Sequence, residues 1–342
     1  MEKKRNDYID YVKGIAIILV VIGHSVQYGS GKDYLESAAF FSNPIFKFIY
    51  SFHMPLFMAI SGYLFFNTIK KESIDIITGK IKGILIPIIS FHTLYLAIKF
   101  TTGTMYTFKE ALSSYFHTLW FLWSLLFACM LTQFSNRFFK DNLTIVTIFC
   151  LSIHFIPNSI IPDKLVFTIL YFIAGYYFHK YISEKPMFFQ KDNKVLNLIF
   201  MCIIPLFTFL LINYHDIYYV YVSHTYILAP NISLDSMTFI TFYRHMAAIT
   251  RCLFILILIW KSRNVLKAKP VSSTLTICSR ISICIYIVNS YLNEYLLLPL
   301  PIYGFNPAYI IIETAVIIII SYFVAKLLQQ NRITSLLFLG GR

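Results

Sequence analysis

The sequence predicts an all-α, polytopic transmembrane helical bundle, and its composition and hydropathy are the observations that lead to this prediction. Of the 342 residues, 58% are hydrophobic and 13% are charged, and the mean hydropathy is +0.67. Soluble globular domains carry about 25% charged residues, so we expect lipid to surround most of this chain. Residues 1–342 are therefore predicted to form a single transmembrane domain, with no soluble domain.

Apolar segments of membrane-spanning length recur along the whole chain. A transmembrane helix requires roughly 20 consecutive, mostly apolar residues. Ten segments satisfy or nearly satisfy this length: residues 11–28, 44–67, 81–101, 115–134, 142–157, 164–182, 195–213, 239–260, 273–298 and 307–328. No small-residue cleavage pattern follows the first of them, so we expect it to be retained as a helix.

The basic residues indicate the orientation, because cytoplasmic loops of membrane proteins are enriched in Lys and Arg. If the N-terminus is cytoplasmic, most of the 29 Lys and Arg residues fall on the inner side. The outer side receives only Lys32, Lys47, Lys99, Lys109 and Lys164. We therefore predict that both termini are cytoplasmic, in a bacterial cytoplasmic membrane. This topology explains the net charge of +13 and indicates membrane lipid, and no nucleic acid, as a partner.

The six cysteines give no indication of a metal site. All of them lie inside apolar segments, and their spacing matches neither a metal-binding motif nor a disulfide framework. We interpret them as packing residues and expect no bound metal.

A cation and an imidazole share one face of the first predicted helix. Lys13 and His24 are eleven residues apart, which corresponds to three turns plus about 20° and a rise of about 16 Å. Ionisable groups inside a membrane are costly and often mark functional pathways, and His is suited to general-base work near neutral pH. This pair suits a long donor such as acyl-coenzyme A, with its phosphates near the cytoplasm and its thioester further inward. A hydrogen-bonded core histidine is the alternative interpretation of His24.

Several stretches, in order, resemble the integral-membrane acyltransferase-3 family, and within it the fucose 4-O-acetylase-like branch. They are residues 10–24 (DYVKGIAIILVVIGH), 52–57 (FHMPLF), 61–65 (SGYLF), 80–87 (KIKGILIP), 120–122 (WFL) and 282–287 (SICIYI). The resemblance implies a ten-helix O-acyltransferase. Its donor would be an acyl-CoA, commonly acetyl-CoA as co-substrate, and its acceptor a glycan or a lipid-linked sugar.

The resemblance also assigns roles to individual residues. The family carries an Arg and a His separated by ten residues in its first helix, and here Lys13 and His24 occupy those positions. His24 would be the general base on the acceptor hydroxyl, or a transient acyl carrier. Lys80 and Lys82 would contact the CoA phosphates. Alternatively, both are simply basic residues that flank the cytoplasmic end of a transmembrane helix. Asn289 stands where the family often has His, so it could offer the acceptor a hydrogen bond.

Two arginines lie within the eighth predicted helix, and each requires a partner or a wet cavity at that depth. Arg244 and Arg251 are seven residues apart and share a helix face. They could form ion pairs with Glu294 and Glu313. Alternatively, Arg251 could hold the donor or stabilise a developing oxyanion, and Arg244 could line the substrate pocket.

The remaining candidates for the acceptor pocket are aromatic or imidazole side chains. His53 lies beside a proline in the second helix, and His117 and Trp120 lie at the outer end of the fourth. The loop over residues 214–238 is rich in tyrosine, which suits either the membrane interface or sugar binding. A multi-helix transporter or flippase of a small polar or glycan substrate is the rival hypothesis, although the Lys13 to His24 pattern does not recur in the second half.

Overall fold

The computed structural model of the protein describes residues 7–31, 38–103, 107–140, 142–157, 163–181, 194–219, 233–293 and 306–341. Within these ranges every regular element is helical, which confirms the predicted all-α class. The α-helices are α1 (Asp7–Gly29), α2 (Ala38–Ser42), α3 (Pro44–Tyr50), α4 (His53–Thr68), α5 (Ser73–Lys80), α6 (Ile86–Thr101), α7 (Phe108–Thr118), α8 (Trp120–Phe139), α9 (Leu143–Ser152), α10 (Asp163–Tyr181), α11 (Lys194–Ile212), α12 (Leu234–Lys261), α13 (Arg263–Leu266), α14 (Lys269–Arg280), α15 (Ser282–Leu292), α16 (Pro307–Gln329) and α17 (Arg332–Leu339).

Several helical stretches have the length and hydropathy of membrane spans. Five qualify within the described residues: Asp7–Gly29, Pro44–Thr68, Ser73–Thr101, Leu234–Lys261 and Pro307–Gln329. The bent pair formed by α14 and α15 makes a sixth if it is counted as one span. These stretches confirm a multi-pass helical membrane protein. The number of ten spans, the single domain and the cytoplasmic position of both termini stay predictions.

The predicted ninth helix, residues 273–298, is interrupted in the structure. α14 and α15 meet at Ile281, and their axes differ by 78°. α14 packs closely on α1, because a Cβ on Gly14 would lie 2.4 Å from the carbonyl oxygen of Leu275. The bend keeps α14 against the N-terminal half of α1 and brings α15 alongside its C-terminal half, where His24 lies.

The closest helix pair is α4 with α10, whose backbones touch at two glycines. A Cβ on Gly62 would lie 1.9 Å from the carbonyl oxygen of Phe172, and a Cβ on Gly175 would lie 1.9 Å from that of Ala59. Small residues permit such close approach between membrane helices. This contact fixes the position of α4, which contributes to both of the cavities described below.

A partly buried hydrogen-bonded chain connects the 3-10 turn after α9, Ile153–Phe155, with α10 and α12. The Tyr171 hydroxyl lies 2.7 Å from Nδ1 of His245, whose Nε2 lies 3.2 Å from Nε2 of His154. Nδ1 of His154 donates to the Cys150 carbonyl oxygen at 3.1 Å, so its Nε2 accepts from His245, which in turn accepts from Tyr171. Every ring nitrogen is satisfied with both imidazoles neutral, so the pair acts as part of the hydrogen-bonded packing of these helices.

Candidate active site

A cavity of about 220 Å³ lies between α1, α4, α8 and α15, and we name it the Lys13 cavity. The polar groups on its wall, apart from the Cys129 thiol, belong to Lys13, Ser61, Thr68, Lys80, Ser282 and Tyr286. The rest of the wall is apolar and includes Phe57, Phe65 and Phe121. A wall of this kind can enclose a flexible, largely apolar chain while two cations contact an anionic group.

The stripe of α1 that lines this cavity leads to His24. Lys13, Ile17 and Val20 all face the cavity, and residues spaced three and four apart lie on one face of a helix. His24 is the next member of that series, one turn beyond Val20. It does not line the cavity itself, so the structure places the imidazole just past the inner end of the cavity.

The two lysines predicted at the entrance to the third helix are placed differently. The Lys80 ammonium lies 4.8 Å from the centroid of the Phe65 ring and lines the Lys13 cavity, whereas Lys82 is exposed and lines neither cavity. Between α5 and α6 the chain forms a π-helical segment, Ile81–Leu85. Pro87 explains this segment, because proline cannot donate to the carbonyl four residues earlier and a wider turn accommodates its ring.

A second, smaller cavity of about 30 Å³ lies beside the N-terminal ends of α4, α8 and α10. We name it the tyrosine cavity after four of its lining residues: Tyr50, Tyr214, Tyr218 and Tyr219. Under the predicted topology these helix ends face outward, while the ends that form the Lys13 cavity face the cytoplasm. The tyrosine cavity therefore lies on the side expected for the acceptor.

Three of the residues predicted for the acceptor pocket meet in the tyrosine cavity. His53, Trp120 and Arg244 all line it, together with Lys164, whose ammonium lies 5.4 Å from the centroid of the Trp120 ring. Met54 lines both cavities, so the two spaces meet on either side of this one side chain. The side chain of His117, in α7, lies outside the described residues, and its role stays a prediction.

His24 is held by a pair of buried amides. Its Nδ1 lies 2.5 Å from Nδ2 of Asn289, and the Oδ1 of Asn289 accepts from Nδ2 of Asn293 at 2.8 Å. Both amides are completely buried. The Tyr50 ring lies 6.4 Å from the His24 ring and 4.8 Å from the His53 ring, so it connects His24 to the tyrosine cavity. Asn289 thus contacts the candidate base and lines neither cavity.

Arg251 lies beside the tyrosine cavity and not beside the Lys13 cavity. Its guanidinium stacks on Tyr214 at 4.7 Å and donates to the carbonyl oxygen of Leu210 at 3.2 Å. Arg244 donates through Nε to the carbonyl oxygen of Tyr218 at 2.7 Å. Of the two predicted carboxylate partners, Glu294 lies outside the described residues and Glu313 is buried in α16. Arg251 does not line the Lys13 cavity, and its contact with the donor stays a prediction.

Some residues of the site were not singled out from the sequence. Asn293 lies four residues after Asn289, so their shared helix face was a readable signal. Lys164 lies at the start of a predicted helix and counted only as an outer-side charge, and Tyr50 lies within the second predicted helix, where no pattern marked it. No cluster of potential metal ligands occurs among the described residues.

The fold and the site together define a helical membrane protein with a cation-lined inner cavity that leads toward a half-buried histidine. Residues 6–326 match the acyltransferase-3 family model, whose description is an acyltransferase domain. The chain belongs to this family, and the membership confirms the resemblance found in the sequence.

Curated relatives are also similar to this chain. The nodulation protein NolL of Sinorhizobium fredii is 36% identical over 207 residues, which cover 56% of this chain and 54% of that protein. NolL of Mesorhizobium japonicum is 32% identical over 176 residues, which cover 49% of this chain and 46% of that protein. The chain thus spans about half the length of the curated relatives it matches. No solved structure shows significant similarity to it.

Proposed function

We propose that this protein is an O-acetyltransferase that moves an acetyl group from cytoplasmic acetyl-CoA to a sugar hydroxyl of a cell-surface polysaccharide or its lipid-linked precursor. The observation that carries the proposal is the pair of cavities on either side of Met54, near the N-terminal end of α4, beside the α1 stripe that ends at His24. Family membership favours acyl transfer over the rival transporter hypothesis.

The Lys13 cavity suits the reactive end of the donor. Drug-sized ligands usually occupy about 300–1,000 Å³, so a cavity of about 220 Å³ would take the pantetheine arm and the thioester but not the nucleotide. The phosphates of CoA would remain at the mouth, within reach of Lys13 and Lys80. Lysine ammonium groups act there as point charges and lack the bidentate fork of arginine.

His24 would remove the proton from the acceptor hydroxyl as that oxygen attacks the thioester carbonyl. To accept a proton at Nε2, the neutral ring must carry its own proton at Nδ1, and Asn289 must then present Oδ1 to it. Joint rotation of the two amide groups achieves this. It also gives the buried Oδ1 of Asn293, which has no partner among the described residues, a donor in Asn289. Asn289 would therefore be a positioning residue.

Replacing Lys13 with Ala is expected to raise the KM for acetyl-CoA more than it lowers kcat. The reason is that a phosphate contact contributes equally to the ground state and the transition state. Lys13→Arg should retain most activity, because it keeps the charge and adds hydrogen-bond donors. Lys82→Ala is the matched control, since Lys82 is exposed and lines neither cavity. The measurement is initial-rate kinetics in proteoliposomes with acetyl-CoA varied on the cytoplasmic side.

An unchanged KM in Lys13→Ala would show that Lys13 serves only as a topology anchor. A rise of equal size in Lys82→Ala would place the phosphates outside the cavity. The identity of the product requires a separate experiment: mass spectrometry of the surface glycan from cells with and without this protein. Loss of acetyl groups from the glycan is the expected result.

A further inference from the structure

The inner end of the Lys13 cavity is built from apolar and aromatic side chains of four helices. The lining residues furthest from Lys13 along these helices include Val20 of α1, Met54 and Phe57 of α4, Phe121 of α8 and Tyr286 of α15. The Phe121 ring packs edge-on against those of Phe57 and Tyr286, with centroids 5.6 Å and 5.7 Å away. Such packing is favourable and holds the rings in place. Met54 is the one long, flexible side chain of this set, because methionine is unbranched and has three rotatable bonds.

Met54 separates this inner end from the tyrosine cavity. Its side chain lines both cavities and is 8% exposed, so it forms part of the wall between them. The preceding residue, His53, lines only the tyrosine cavity, and Phe57, about one turn further along α4, lines only the Lys13 cavity. The length of the side chain at position 54 therefore determines how far the Lys13 cavity extends.

An acyl group bound in this cavity would end against Met54. The pantetheine arm of the donor would enter beside Lys13 and follow the α1 stripe, which puts the thioester near the inner end and the acyl tail beyond it. The base and its amide partner, His24 and Asn289, belong to α1 and α15, whereas Met54 belongs to α4. A side chain that limits the acyl tail from α4 therefore leaves the approach of the acceptor hydroxyl open.

We propose that Met54 determines the length of the acyl group that the protein accepts, so that an acetyl group fits and a butyryl group does not. The inference rests on the proposed function in taking an acyl-CoA as the occupant of the Lys13 cavity. One methylene in a hydrophobic pocket changes selectivity about 10- to 200-fold. A packed wall takes up extra methylenes only at a cost in strain, so a longer tail has to displace Met54.

The binding of two unreactive donor analogues tests the proposal without any transfer of an acyl group. The probes are S-ethyl-CoA and S-butyl-CoA, thioethers that lack the reactive carbonyl and match the chain lengths of acetyl and butyryl groups. Calorimetric titration of the protein in nanodiscs of phosphatidylcholine gives their affinities. We expect the native protein to bind S-ethyl-CoA about tenfold or more tightly than S-butyl-CoA.

Variants at position 54 locate the limit on chain length. Met54→Ala should remove the preference, so that S-butyl-CoA binds at least as tightly as S-ethyl-CoA, because the shorter side chain extends the cavity. Met54→Leu should keep the preference, since exchange of these two residues conserves volume. Met58→Ala is the matched control, because Met58 lies one turn further along α4, is fully buried and lines neither cavity. If Met54→Ala does not fold, Met54→Val decides, and it should reduce the preference.

Equal binding of the two analogues by the native protein would overturn the proposal. An unchanged preference in Met54→Ala, or an equal loss of preference in Met58→Ala, would also overturn it. Because the titration involves no acyl transfer, a protein that discriminates between the analogues but transfers no acetyl group would contradict only the proposed function. Transfer of acetyl by a native protein without the preference would contradict only the role of Met54.

Discussion

Replacing His24 with Ala is expected to lower the rate of acetyl transfer about 10²- to 10⁴-fold, the usual contribution of a general base. Donor affinity should change little, because His24 lies beyond the inner end of the Lys13 cavity and does not line it. The amount of protein in the membrane should also stay near normal, since His24 is only half-buried. The measurement is kcat and KM for acetyl-CoA in proteoliposomes.

Two further variants separate catalysis from structure. Asn289→Ala should lower kcat by about 10²-fold or less, because the base remains and only its orientation is lost. His215→Ala is the matched control, since His215 is exposed and lies outside both cavities. Near-normal acetyl transfer by a well-expressed His24→Ala protein would refute the general-base role.

Adding a single methyl group at Gly62 is expected to destabilise the protein severely. The new Cβ would lie 1.9 Å from the Phe172 carbonyl oxygen, so the backbones of α4 and α10 would have to separate. Overpacking typically costs about 1–3 kcal/mol, and occasionally more, even where side chains can adjust. We expect Gly62→Ala to lose most folded protein, as measured by size-exclusion chromatography in detergent with a melting curve.

Gly79→Ala provides the comparison. Gly79 lies in α5 with nothing within 4 Å of its added Cβ, so the substitution meets only open space. It should stabilise slightly, because Ala exceeds Gly in helix propensity by about 1 kcal/mol. Equal melting temperatures for the two variants would show that the backbones of α4 and α10 are further apart at Gly62 than in the structure.

Helical periodicity was enough to predict one geometric relation within the candidate site. The spacing of Lys13 and His24 fixes them on one face of α1, whatever the rest of the chain does. The structure adds that Ile17 and Val20, between them, line the Lys13 cavity. In the same way, apolar length predicted that the chain is a multi-pass helical membrane protein.

Side-chain environment could not be predicted where it depends on a break in a helix. Lys80 and Lys82 are equivalent as flanking charges, yet Lys80, at the end of α5, lines the Lys13 cavity and Lys82, in the π-helical segment, is exposed. No Pro or Gly stands at Ile281, so no helix-breaking residue in the sequence indicated this bend. The bend is accompanied by the close packing of α14 on Gly14, which is a tertiary contact.

Side-chain contacts between residues far apart in the chain also could not be predicted from the sequence. Arg251 stacks on Tyr214, a contact that no pattern in the sequence indicated. The hydrogen bond between Asn289 and His24 joins positions 265 residues apart. Periodicity places each residue on a face of its own helix, but only the packing of α1 against α15 brings the two together.

The transfer of a labelled acetyl group across the membrane is the direct test of the proposed acetyltransferase activity. Proteoliposomes carrying the purified protein receive labelled acetyl-CoA on the cytoplasmic side and the glycan acceptor on the opposite side. We expect labelled acetyl ester on the acceptor with the native protein, and at most about 1% of that rate with His24→Ala. Label appearing on the acceptor at equal rates with both proteins, or with neither, would contradict it.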